Sequence, residues 1–270
     1  MDDLKCGMPA MIELGGAEEC AKLCRELGLG FVELNSNFPQ YQLKNMDADE
    51  LNRIAGKYGI EYTIHLDDEM NVADFNPYVA DAYRRTAREF IELAKRIGTK
   101  KINMHLARGP KYTLPAKALY FFEAYQEEYL ANMRLFRDMC AQAIGNSGIM
   151  VCVENTNGFA SFQRAGLMTL LESPVFGLTL DIGHNYCAKQ VDEELILNNV
   201  HRLQHMHIHD AAEGSKDHRA LGTGVLDLDR WFRLARAYNC TVVLETKTVA
   251  SLRRSVEWMH EFVQNGNNFG

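Results

Sequence analysis

The feature that most constrains this chain is an alternation. Short runs rich in β-branched and aliphatic residues recur near Leu4–Met8, Gly30–Asn35, Glu61–Leu66, Lys101–Leu106, Ile149–Glu154, Phe176–Asp181, Leu203–His209 and Thr241–Thr246, and read as strands. Between them lie segments with helical spacing of apolar residues, predicted as helices over Ala17–Leu27, Asp47–Tyr58, Pro77–Ile97, Ala118–Ile144, Ser161–Glu172, Asp192–Val200, Asp227–Tyr238 and Val249–Val263. Three of them stop at Leu27-Gly28, Tyr58-Gly59 and Ile97-Gly98, as a left-handed C-terminal cap requires. No low-complexity linker divides the chain. Eight strand–helix units in 270 residues predict an α/β fold, a single (β/α)8 TIM barrel spanning 1–270 as one domain. A doubly wound open sheet is the alternative, but the Gly-rich phosphate turn that often follows its first strand is absent from the sequence.

Parity within the strands points the same way. Alternate residues of a barrel strand face the lumen or the surrounding helices, so the outward set should be aliphatic even where the inward set is polar. Val32 and Leu34 flank Glu33; Ile64 and Leu66 flank His65; Ile102, Met104 and Leu106 alternate with Asn103 and His105. Val151 and Val153 alternate with Cys152 and Glu154, Leu178 and Leu180 with Thr179 and Asp181, and Met206 and Ile208 separate His205, His207 and His209. Val242 and Leu244 precede Glu245. The lumen therefore acquires His65, His105, Glu154, Asp181, His207, His209 and Glu245 at successive strand C-termini, with Glu33 as a polar neighbour, and that face of a barrel is where active sites form. Unpaired carboxylates in a lumen cost several kcal/mol each, and too few Lys or Arg accompany these to pair them. A divalent cation is the expected partner. Mixed N/O ligands suit Zn2+ or Mn2+, with Fe2+ or Co2+ as further options, rather than Ca2+ or Mg2+.

Two loops extend this set. Asp181-Ile182-Gly183-His184 places an imidazole three residues beyond a candidate ligand, and a long polar loop runs from His207-Ile208-His209-Asp210 through Lys216-Asp217-His218-Arg219 to Leu221-Gly222-Thr223-Gly224. Such loops are usually functional. Arg219 is a candidate for a substrate oxygen or for pairing with Asp217, and Asp67-Asp68-Glu69 reads as a solvent-facing loop at the pocket rim. Tyr112 and Tyr120-Phe121-Phe122 are candidates to pack the barrel mouth, wall the pocket or cover an interface of a homo-oligomer.

Composition narrows the partners. With 29 Lys+Arg against 36 Asp+Glu the formal charge is −7, which argues against a general nucleic-acid or anionic-membrane binder. The start, Met1-Asp2-Asp3-Leu4-Lys5, is acidic where a secretory leader would be basic, and no apolar run approaches the ~20 residues of a membrane span. A cytoplasmic protein is expected. The 7 cysteines form no CxxC pair and read as reduced thiols.

The segments Val151-Cys152-Val153-Glu154-Asn155, Thr179-Leu180-Asp181-Ile182-Gly183-His184, His207-Ile208-His209-Asp210 with its downstream Asp-His and Leu-Gly-Thr-Gly, and Leu244-Glu245 resemble the xylose isomerase-like TIM barrel superfamily of sugar isomerases, epimerases and endonuclease IV. Similarity to the ketose 3-epimerases implies one metal held by Glu154, Asp181, His209 and Glu245, with His184 and Arg219 on the substrate. It also implies that Glu154 and Glu245 flank the substrate, one removing a proton and the other returning it through an enediolate. Similarity to endonuclease IV adds His65, His105, His184, His207 and His218 as ligands, and the Asp-x-His of that pattern stands here as Asp217-His218, the acid one place late. The resemblance implies a divalent-metal-dependent sugar or sugar phosphate isomerase or epimerase acting on a small carbohydrate, with Glu33 as a further substrate contact. A lyase on a keto-cyclitol or sugar conjugate and a phosphodiesterase on abasic DNA are the alternatives.

Overall fold

The computed structural model describes residues 4–214 and 216–264. Residues 1–3, part of the argument against a leader, and Ser215 of the polar loop lie outside the described residues. Eight parallel strands close into a barrel: β1 (Cys6–Pro9), β2 (Phe31–Asn35), β3 (Glu61–His65), β4 (Lys101–Met104), β5 (Met150–Glu154), β6 (Phe176–Asp181), β7 (Leu203–Ile208) and β8 (Thr241–Leu244). β8 pairs with β1 to seal it, Val242 standing opposite Cys6. Outside run α1 (Ala17–Glu26), α2 (Ala48–Tyr58), α3 (Pro77–Arg96), α4 (Gln126–Ile144), α5 (Ser161–Leu171), α6 (Glu193–Asn198), α7 (Leu228–Ala237) and α8 (Val249–Gln264). Among the described residues no helix is long and apolar enough to cross a membrane.

Local chemistry sets these boundaries. The Asp47 side chain accepts from the amides of Asp49 and Glu50 to start α2, and Asn76 accepts from Tyr78 N ahead of Pro77 in α3. Gly28, Gly59 and Gly98 take φ of 70°, 64° and 71°, the left-handed conformation expected where these helices turn back to the next strand. The outward strand residues Val32, Ile64, Ile102, Met104, Val151, Val153, Leu178, Leu180, Met206, Ile208, Val242 and Leu244 are all buried under the helices. Each contributes about 1.5–3 kcal/mol by leaving water. That burial fixes the register, since slipping a strand by one residue would put its polar set against the helices.

Two expectations are corrected. The helix predicted from Ala118 begins only at Gln126: Ala118–Tyr120 pairs antiparallel with Lys111–Thr113, and a single turn at Phe121–Ala124 follows. An aromatic run packs well on a strand pair, and that pairing overrides its helical spacing. The loop after β7 is likewise folded, Asp210–Ala212 pairing with Lys216–Arg219. Asp210 anchors it, its carboxylate accepting from the amides of Ala211, Gly224 and Leu226.

Candidate metal centre at the barrel mouth

The strand C-termini open into a cavity of about 680 Å3 whose lining includes His65, His105, Glu154, His184, His218 and Glu245. Beneath them, fully buried, lie Asp181, His207 and His209. Glu154, Asp181 and His207, from β5, β6 and β7, and Glu245, just beyond β8, each bring one ligand-type atom to within 4.8 Å of the others. His207 Nδ1 is central to that set, 3.0 Å from Glu245 Oε2, 3.3 Å from Glu154 Oε2 and 3.9 Å from Asp181 Oδ2. Two further groups flank it, His65 with Asp68 and His105, and His184 with Asp217 and His218. Glu154 touches both sides, through His65 Nε2 at 3.4 Å, His105 Nε2 at 3.2 Å and His184 Nδ1 at 3.3 Å.

The donor set suits a divalent ion. His105 Nε2, His184 Nδ1, His207 Nδ1, His218 Nε2 and Glu245 Oε2 are buried without a hydrogen-bond partner. Buried polar atoms are rarely left so, and here they converge on one another. His65 shows how the protein aims such an atom: Nδ1 donates to the Leu66 carbonyl at 2.7 Å, which leaves Nε2 facing Glu154. Asn103 does the same for a carboxylate, Nδ2 donating to Glu154 Oε2 while Oδ1 accepts from Thr179. Asn155 joins the ends of β5 and β6, exchanging both amide hydrogen bonds with the Asp181 backbone.

His207 and His209, alike in parity, fall in different groups of candidate ligands. His207, rather than His209, stands with Glu154, Asp181 and Glu245; His209 lies deeper in the loop side, Nε2 3.0 Å from both Asp181 oxygens. His209 belongs instead with Asp181, His218 and Glu245. The one-place displacement of Asp217 does not remove it: its Oδ1 lies 2.9 Å from His218 Nδ1 and its Oδ2 4.0 Å from His184 Nε2. His218 has φ of 52°, and that left-handed residue turns the strand so that two neighbours share one side.

Two candidate substrate contacts are not placed as expected. Glu33 is 2% exposed and sits below the cavity, because it lies two residues before the end of β2, where an inward side chain meets the lumen instead of its mouth. Arg219 donates Nε to the Thr223 carbonyl, the hairpin having drawn it onto its own return loop; neither lines the cavity, and Asp217 is taken by His218. The Asp67–Glu69 loop, by contrast, is part of the wall: Asp68 and Glu69 line the cavity and Asp68 Oδ1 faces His65 and His105. Tyr112 is half exposed and Phe122 is buried against Tyr129 and Phe162, so the aromatic run packs beside the mouth. Asn103, His205 and Lys247 were missed. Parity turned Asn103 and His205 inward but assigned them no part; nothing in the sequence marked Lys247, whose Nζ lies 2.8 Å from Glu245 Oε1.

The charges are strongly coupled. Burial would raise the carboxyls of Glu154 and Glu245, but His207 in contact with both outweighs it and holds them well below the usual range. Burial would likewise discharge the histidines, yet Glu154 raises His65 to about 9, and Asp181 with Glu154 raises His184 to about 10. A histidine raised in the folded state stabilises it fully below pH 6.5, its ordinary value, and that stability is lost as pH rises through 9 to 10. The lowered glutamates stabilise above their ordinary 4.5 and lose that below it. The chelator-treated protein should therefore melt highest between pH 4.5 and 6.5 and progressively lower toward pH 10; thermal melts that stay flat from pH 6 to 10 would contradict this coupling.

Fold and site together define a (β/α)8 barrel with a carboxylate–imidazole centre at its C-terminal mouth. Residues 21–262 match the model of the xylose isomerase-like TIM barrel family, and the chain belongs to that family. An uncharacterized protein of Methanocaldococcus jannaschii is 20% identical over 225 residues, 82% of this chain and 84% of its own. Among solved structures, a D-tagatose 3-epimerase-like protein superposes with a TM-score of 0.77 at 20% identity, covering 98% of both chains. The IolI protein, solved with a bound zinc atom, superposes with a TM-score of 0.71 at 14% identity, covering 98% of both. At such identities these structures share the fold.

Proposed function

We propose that this protein is a divalent-metal-dependent isomerase or epimerase of a small sugar. The observation that carries this reading is the convergence of Glu154 and Glu245, from β5 and just beyond β8, on the same cavity with His207 between them. Glu154, Asp181, His207 and Glu245 would hold the ion, with Zn2+ or Mn2+ the best matches to two-element N/O ligation. Held there, such an ion would supply Lewis-acid polarisation of a substrate carbonyl, which acidifies the adjacent C–H. The chain's own residues do the rest. Both glutamates are held ionised by their histidines, so either can accept a proton at neutral pH, and two carboxylates in one cavity allow removal at one face and return at the other. Lys247 and His184, at the cavity wall, suit the hydroxyl and carbonyl oxygens of a polyol. The acids Asp68, Glu69 and Asp74 on the opposite wall favour a neutral sugar over a polyanion.

One observation favours a second reading. The two flanking groups, His65 with His105 and His184 with Asp217 and His218, would extend a single-ion site to several ions, the arrangement suited to phosphodiester cleavage on abasic DNA. The acidic wall disfavours it. Metal analysis of the purified protein, followed by a ketose panel and an abasic-site oligonucleotide assayed side by side with Mn2+ and Zn2+, separates the two. Ketose turnover supports the first reading; strand scission without it transfers the site to the second.

A further inference from the structure

Two buried titratable residues that neither reading uses, Glu33 and His205, stand directly behind His207. Glu33 reaches across the lumen from β2 to β7, where its Oε1 is 3.0 Å from His207 Nε2 and its Oε2 is 3.0 Å from His205 Nε2. Thr63 on β3 donates its hydroxyl to Oε2 at 3.0 Å. The far nitrogen of His205, Nδ1, lies against Thr241 Oγ1 at the foot of β8. None of these four residues lines the cavity.

We propose that Glu33 and His205 are a positioning pair that fixes the His207 ring with Nδ1 toward Glu154, Asp181 and Glu245. The inference rests on the metal reading above. An ionised carboxylate only accepts: the Thr63 hydroxyl and His205 Nε2 share Oε2, and His207 Nε2 stands 3.0 Å from Oε1 as a close polar contact that is not an aligned hydrogen bond. With its proton on Nε2, neutral His207 carries its lone pair on Nδ1, the atom central to the ligand set. The other tautomer would place an N–H there and leave the Glu33 oxygen facing a lone pair, and a ring turned over would offer only carbon at both positions. His205 matters because it holds the other oxygen. Without that donor Oε2 is held by the Thr63 hydroxyl alone, and the constraint on His207 weakens. The Thr241 hydroxyl closes the series by donating to His205 Nδ1, which keeps the His205 proton on Nε2. A carboxylate behind a ligating imidazole fixes ring orientation and raises ligand strength, and its loss typically weakens metal binding 10- to 100-fold.

Co2+ titration followed by visible absorption tests this, because both the affinity and the band report ligand geometry at the metal. Glu33→Gln keeps the size of the side chain but presents an amide N–H to one of the two imidazoles. It should bind Co2+ about 10- to 100-fold more weakly with a shifted band. His205→Leu, which has no donor, should weaken binding by about tenfold, whereas His205→Gln, which can still donate to Glu33, should stay within about threefold of the wild type. A folded Glu33→Gln protein with wild-type affinity and band overturns the inference. Should Glu33→Gln not fold, the His205 pair decides: a loss in the Leu variant restored in the Gln variant supports the positioning role, and equal behaviour of the two overturns it, since only packing would then matter. A wild-type protein that takes up no Co2+ overturns the metal reading itself and this inference with it, and is told apart by needing no variant.

Discussion

Changing Glu154 or Glu245 to Gln is expected to lower kcat by about 10^2- to 10^4-fold, the range a positioned general acid or base contributes. Gln is isosteric, so the backbone of β5 and the start of the following loop should be undisturbed; what is lost is the negative charge and one acceptor. The two variants should not be alike. Glu154 faces His65, His105, His184 and His207, so its neutralisation strips a shared partner from all three groups. Glu245 faces His207 and His218 and is paired with Lys247. Glu154→Gln should therefore lose most of its bound metal, whereas Glu245→Gln should retain more of it yet still turn over poorly. Metal content per chain, measured alongside kcat at saturating Mn2+, separates loss of the ion from loss of the base. Two variants that keep normal metal content and full activity would sink the proposed function.

Gly183→Ala is expected to destabilise the protein strongly. A Cβ at position 183 would stand 1.9 Å from His209 Cε1 and 2.4 Å from its Nδ1. The ring cannot retreat. Its Nε2 meets Asp181, its Nδ1 accepts from the His218 amide at 2.8 Å, and its face stacks on the His218 ring with centroids 4.3 Å apart. Overpacking of this kind costs about 1–3 kcal/mol or more, and here the displaced ring belongs to the centre itself. A fall in Tm of roughly 5–10 °C is expected for a chain of this size. Gly56→Ala is the control: nothing lies within 4 Å of its added methyl inside α2, so it should leave the protein as stable or up to about 1 kcal/mol more so. The double variant Gly183→Ala with His209→Ala should recover most of the lost Tm, because the clash has then no partner. A Gly183→Ala protein that melts like the wild type would mean that the short helix Ile182–Cys187 does not pack against the His209 ring.

Much of this site was legible in the chain because strand and helix periodicity are local. The alternation of Ile64 with His65, of Val153 with Glu154 and of Leu180 with Asp181 follows from a repeat of two residues and needs no knowledge of any neighbour. It was enough to name the (β/α)8 barrel and to turn inward the carboxylates and imidazoles that meet at its mouth. The Gly-terminated helices were legible for the same reason, a single residue with positive φ ending a helical pattern. Where a contact between distant segments competes with a local preference, the local reading failed, as at Ala118–Tyr120, which forms a strand with Lys111–Thr113.

Direction is a local property of a strand, but height along the barrel axis is not. His205, His207 and His209 share one parity, and so do Glu33 and Asn35; the sequence by itself determined that all of them face inward. Which one reaches the centre depends on the stagger between neighbouring strands, Asp181 standing opposite His207 and Glu33 opposite Thr63. That stagger comes from closing eight strands into a ring, a condition on the whole molecule. Tertiary structure alone thus placed Glu33 behind His207, set His207 beside Glu154 and His209 beside His218, and brought Asp217 back to His184 through the left-handed turn at His218.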